Sequence, residues 1–180
     1  MRALFLDIDG VLNYPTLLAQ VTITTECVET ATPPTKAETE VANLCDHPGL
    51  GLLAIRQIDP EKVLLLNDLI ERARIDQVVL SSSWRRAHRL KFVERVLKLQ
   101  GFRGTLADRT PTRVPVAERG GFTPRGMEIR AWLHAHPQVT QFAILDDESD
   151  MDGLPGLVQT NGQVGLTQAD VDLAVAVFGV

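Results

Sequence analysis

An α/β fold, a doubly wound parallel sheet in three layers, is predicted for this chain of 180 residues. Three observations predict it. Short, continuous apolar runs alternate with segments of helical periodicity. The clearest runs end in small or acidic polar residues, as at Asp7, Ser81 and Asp146. The composition, 44% hydrophobic and 23% charged, suits a buried core and excludes a disordered chain.

Arg2 to Ile8 reads as a buried parallel strand that ends near Gly10. Residues 14–57 have the least pattern. Thr22 to Glu40 is rich in Thr, Glu and Pro, so a loop or mobile insertion rather than a core element is expected there. Asp59 is a natural cap for a helix that begins at Pro60. Asp76 to Leu80 is a second strand, followed by Ser81, Ser82 and Ser83. A helix is predicted over Arg86 to Gln100, stopped by Gly101. Residues 102–124 read as a connection, and a helix opens at Thr123 or Pro124 and ends before Pro137. Gln141 to Leu145 is a third strand, Leu157 to Thr160 a short fourth, and Thr167 caps a last helix that runs to Phe178. The length and the single alternating pattern give one domain over residues 1–180, with 14–57 as its insertion.

Charge is unevenly spread. Residues 1–71 hold 4 basic and 11 acidic side chains, 72–130 hold 14 and 5, and 131–180 hold none and 7. A basic segment facing acidic clusters suits an anionic substrate beside a cation, although solvated helix faces would give the same counts. No apolar run reaches the roughly 20 residues needed to span a bilayer, so no membrane association is expected. Asp7 and Asp9 interrupt the apolar N-terminus, which removes the reading of a signal peptide. Cys27 and Cys45 read as reduced thiols. A cytoplasmic location is expected, and no obligate protein partner is evident.

In doubly wound sheets, sites form at the carboxyl ends of the strands. Here those ends carry Asp7-Ile8-Asp9-Gly10, Ser81-Ser82-Ser83 and Asp146-Asp147, so all should share one crevice. Carboxylates that close repel one another, and a divalent cation relieves the repulsion. Oxygen ligands without clustered His or Cys point to Mg²⁺ rather than zinc. Trp84, Arg85 and Arg86 follow the serines. They read either as a stacking and phosphate-clamping patch for a nucleic-acid end, or as a Trp packed beneath the loop with two solvated arginines. Trp132 reads as core. Arg103, Arg109, Arg113 and Arg119 read as a track for a phosphate backbone or as a solvated loop.

The run Leu4 to Leu12, with Asp7-Ile8-Asp9-Gly10 at its centre, resembles motif I of the haloacid-dehalogenase (HAD) superfamily. The serines after the second strand resemble its motif II, Arg125-Gly126 its motif III, and Ile144 to Met151 its acidic motif IV. More narrowly, Ser82 to Arg85, Arg125 to Ile129 and Leu145 to Asp150 resemble HAD domains associated with Swiss Army Knife RNA-repair proteins. The resemblance implies a Rossmann-like core and a phosphohydrolase. In it Asp7 is the nucleophile and Asp9 the acid and base. Mg²⁺ is held by the Asp7 carboxylate, the Asp9 backbone carbonyl and Asp146, with Asp147 or Asp150 assisting. Ser82 or Ser81 and Arg125 hold phosphate, with Ser82 the better aligned. Arg stands at Arg125 where the wider family often has Lys; it keeps the charge and adds a bidentate fork. The expected substrate is a phosphorylated RNA or DNA end. A small-metabolite phosphomonoester is the alternative, and a phospho-acceptor signalling module a more distant one.

Overall fold

Ala3 to Leu6 are all fully buried, as a strand with neighbours on both sides requires. In the computed structural model, which describes residues 1–26, 32–114, 124–151 and 153–180 (side chains of 22–26 excepted), this strand, β1 (Arg2–Leu6), lies at the centre of the sheet. Its companions are β2 (Gln77–Leu80), β3 (Leu106–Arg109), β4 (Gln141–Asp146) and β5 (Leu157–Gln159). They pair in parallel in the order β3-β2-β1-β4-β5. The alternation of side chains about the strand then divides the core. Leu4, Leu6, Val78, Leu80, Ala143 and Leu145 face the larger layer. Phe5, Val79 and Ile144 face the other, where Ile129 and Trp132 pack. Phe5 and Trp132 meet edge to face at 5.3 Å, a contact worth about 1 kcal/mol beyond burial.

Eight helices cover the sheet among the described residues: α1 (Pro15–Glu26), α2 (Lys36–Ala42), α3 (Pro48–Arg56), α4 (Pro60–Ala73), α5 (Trp84–Ala87), α6 (Leu90–Leu99), α7 (Arg125–Ala135) and α8 (Gln168–Val177). Asp59 caps α4 by accepting from Glu61 N at 2.8 Å, with Pro60 in the first turn. Thr167 caps α8 in a reciprocal box with Asp170. Gly101 follows the end of α6 with φ +94°, a left-handed backbone that glycine reaches without strain.

The segment 14–57 is more regular than its composition predicts. It carries α1, α2 and α3, and buries Val41, Ala42, Ala54 and Ile55. Some Pro and Thr residues of this segment stand at helix starts. Pro15 and Pro48 occupy first turns, where a missing N–H costs nothing, and Thr35 closes a capping box with Glu38. Two further expectations are corrected. The helix expected over Arg86 to Gln100 is two, separated where His88 turns extended, and its regular part begins at Leu90. The connection 102–124 contains β3, an edge strand with only Leu106 buried, and Arg109 lies in it rather than in a loop. Arg119, Thr123 and Cys27 fall outside the described residues; Cys45 is a free thiol.

Candidate active site

The ladder continues one residue past each strand end, and this sets the polar side chains side by side. Asp7 N donates to Leu145 O at 3.0 Å, Ser81 N to Leu6 O at 2.8 Å, and Thr160 N to Asp146 O at 3.0 Å. Asp7 and Asp146 are thereby buried, at 3% and 0% exposure. Carboxylate oxygens of Asp7, Asp146 and Asp147 lie within 4.8 Å of one another. Gly10 makes the room. It has φ +70°, and a Cβ there would stand 2.3 Å from the Asp147 carboxyl. Thr160 Oγ1 donates to Gly10 O at 2.8 Å and ties this turn to the end of β5.

Arg125 enters the cluster from the first turn of α7. Its Nη2 is 3.3 Å from Asp7 Oδ2 and its Nε 3.7 Å from Asp146 Oδ2. Gly126 permits this approach, because a Cβ there would fall 2.2 Å from the backbone of Met151. The start of α7 has no side-chain cap of its own. Asp150 serves instead: its Oδ2 accepts from Arg125 N at 3.0 Å and its carbonyl from Gly126 N at 3.2 Å. Asp150, an expected metal ligand, therefore lies at the helix end, outside the set of three carboxylates.

Asp9 is held apart from that set by three donors. Asn13 Nδ2 lies 2.9 Å and Trp84 Nε1 3.1 Å from its Oδ1, and Ser83 Oγ donates to its Oδ2 at 3.2 Å. Trp84 is thus packed beneath the loop, at 9% exposure. The Ser82 hydroxyl favours the charged form of Asp7 and its Oγ accepts from Trp84 N at 3.3 Å, while the buried Ser81 hydroxyl has no partner. Arg85, read either as a phosphate clamp or as a solvated arginine, is committed to a buried ion pair with Glu128. It also donates to the carbonyls of Ser82 and Thr110, the latter at 3.1 Å. Arg85 therefore joins the ends of β2 and β3 to α7.

A family model described as the HAD domain in Swiss Army Knife RNA repair proteins matches residues 3–171. The chain belongs to this family. No curated protein and no solved structure matches it. Membership supports a hydrolase of phosphatase type for this HAD domain, and the family description makes a phosphorylated nucleic acid a plausible substrate. Among the described residues, no helix is long and apolar enough to cross a membrane.

The carboxylate set of the HAD domain fits a divalent cation. Burial, helped by the charge on Asp7, pushes Asp146 up to about 8. Burial also raises Asp7, against the opposing pull of Arg125. Asp146 Oδ2 is buried with no hydrogen-bond partner. An all-oxygen set with an orphaned buried acceptor suits a hard cation. The sequence reading assigned no role to Asn13, Ser83 or Glu128. Glu128 carried a signal, an acidic residue at the first turn of α7 and three positions after Arg125, on the same helix face.

Proposed function

We propose that the chain is a Mg²⁺-dependent phosphatase that removes terminal phosphate from nucleic acid through an aspartyl-phosphate on Asp7. The observation that carries the reading is a division of labour between two nearby carboxylates. Asp7 is buried with Arg125 and Ser82 upon it, while Asp9 is turned aside and held by Asn13, Ser83 and Trp84. A nucleophile and a proton carrier for one phosphoryl group need that separation.

In the first half-reaction an Asp7 oxygen attacks phosphorus and the bond from phosphorus to the leaving oxygen breaks. Asp9 gives that oxygen its proton. In the second, water attacks the phosphorus of the Asp7 acyl phosphate and Asp9 takes its proton. The bond to Asp7 breaks, and inorganic phosphate leaves. Arg125 and Ser82 hold the equatorial oxygens; phosphoryl transfer asks the protein mainly for position and opposing charge. Asp7, Asp146 and Asp147 would hold Mg²⁺, which when bound offsets charge on the carboxylates and the phosphoryl group. Asp150 would act through the start of α7.

Nucleic acid is favoured over a small metabolite by the basic segment 72–130 and by the family description. Residues 1–180 would act as one cytoplasmic domain, with 14–57 as its cap. Phosphate release from p-nitrophenyl phosphate and from 3′- and 5′-phosphorylated oligonucleotides, with and without Mg²⁺, tests the reading. Asp7→Asn should lower release at least about 10³-fold. Release only from the small ester would move the substrate to metabolites. Stable phosphorylation without turnover would point to a signalling module.

A further inference from the structure

Asp9 opens onto a different space from the Asp7–Asp146–Asp147 cluster. It lines a cleft of about 320 Å³ between α3 and α5. Leu50, Leu53 and Ala54 form one wall, and Trp84 and Ala87 the other. Gln57 and His88 supply polar groups at its edge. A second cleft, of about 230 Å³, begins on the far side of Ser83, which lines both. Its lining is charged and includes Arg86, Arg125, Glu128 and Asp150. The two spaces meet at the catalytic loop and differ completely in chemistry.

We propose that the cleft between α3 and α5 receives the base of the nucleotide whose phosphate is removed. The inference rests on the phosphatase reading, because that reading fixes the direction. The phosphoryl group belongs with Arg125 and Ser82. The leaving oxygen belongs beside Asp9, so the organic part of the substrate extends to the side that Asp9 faces. That side is apolar. A phosphorylated sugar alone would set hydroxyls against Leu50, Leu53 and Trp84 without partners. A nucleobase has apolar faces for two facing walls and polar edges for an amide such as Gln57. The volume lies at the low end of small-ligand pockets, roughly 300–1,000 Å³, and suits one base rather than a run of them. Leu50 stands 56% exposed at the rim of this cleft, an apolar surface that a base would cover.

The test compares oligonucleotides with a phosphorylated end that carries or lacks its terminal base. Binding is measured by anisotropy on the Asp7→Asn full chain, and phosphate release on the unaltered chain with Mg²⁺, with acetyl phosphate as a substrate that has no base. Loss of the base should weaken binding and raise KM on the order of tenfold. Leu53→Lys should remove most of that difference; Leu50→Ser, at an exposed position, should reduce it without risk to folding. Equal binding and equal KM with and without the base would overturn the inference. If acetyl phosphate is still hydrolysed in that case, the phosphatase reading survives alone. Base-dependent binding with no release from any substrate would do the reverse, leaving the base cleft and removing the phosphatase.

Discussion

Two buried charge clusters sit against the same helix, and in only one of them are the charged groups fully partnered. Around Arg85 and Glu128 the donors find acceptors: Glu128, Ser82 O and Thr110 O take the guanidinium, and Arg86 Nη2 lies 3.5 Å from the other Glu128 oxygen. Around Asp7, Arg125 and Asp146, polar atoms are left over. Asp146 Oδ2 and Arg125 Nη1 are buried with no hydrogen bond. Unmatched buried polar atoms are costly and rare in folded proteins. The first cluster has the form of a structural fastening. The second has the form of a site whose remaining partners are a cation and an anion. The difference teaches that buried charge alone does not identify a centre; what identifies it is unspent hydrogen-bonding and charge capacity.

Mutations can break this comparison. Glu128→Gln should destabilise the protein by about 3–5 kcal/mol, because it strands Arg85 in the interior. Asp146→Asn, equally buried, should leave metal-free stability unchanged or higher while phosphatase activity is lost. Urea unfolding of both variants in EDTA, together with phosphate release, checks the pair. Similar destabilisation by the two would erase the distinction.

Metal should affect only the open cluster; pH should affect it and also His88, whose pKa burial lowers, so that His88 by itself adds stability as pH rises. Asp146 titrates near 8 in the folded, metal-free protein and near its ordinary value of 3.8 when unfolded. The folded state therefore retains a proton that the unfolded state has released. Metal-free stability should fall as pH rises between those values and then level off. Saturating Mg²⁺ should flatten the slope and add about 2.7 kcal/mol at a hundred times its Kd. Urea midpoints from pH 5 to 8, with EDTA or Mg²⁺, read both effects. A slope that persists in Asp146→Asn would assign it to another group.

A smaller effect sharpens the link between α7 and the acidic loop. Gly126→Ala should cost about 1–3 kcal/mol by forcing the helix off the Met151 backbone. It should also lower kcat more than it changes substrate affinity, since Arg125 moves with that turn. Thermal unfolding and steady-state kinetics on one preparation would show whether the two losses travel together.

Much of the fold was legible because β1, β2 and β4 announce themselves as buried apolar runs, and the short run Leu157 to Thr160 marked β5. β3 did not. As an edge strand with Ala107, Asp108 and Arg109 facing partly outward, it lacks the continuous apolar character that marked the others. The helices of 14–57 were hidden for a different reason: Pro and Thr mark turns and helix starts alike, and only tertiary burial of Val41, Ala42, Ala54 and Ile55 decides between them. At the candidate site, Asp7, Asp146 and Asp147 were readable from strand-end logic and spacing. The inward turn of Arg85 was not, since its partner Glu128 lies 43 positions away. Asp150 carried the right chemistry for a ligand, but its place at the first turn of α7 depends on the close approach at Gly126.

The central place of β1 has a consequence for how the protein comes into being. β1, which leads into Asp7, lies far ahead in the chain of its two neighbours, β2, from Gln77, and β4, which ends at Asp146. At about 5–20 residues per second, a growing chain carries that apolar strand unpaired for several seconds and lacks its acidic centre for roughly ten or more. Until then the carboxylates of Asp7, Asp146 and Asp147 cannot gather into one set.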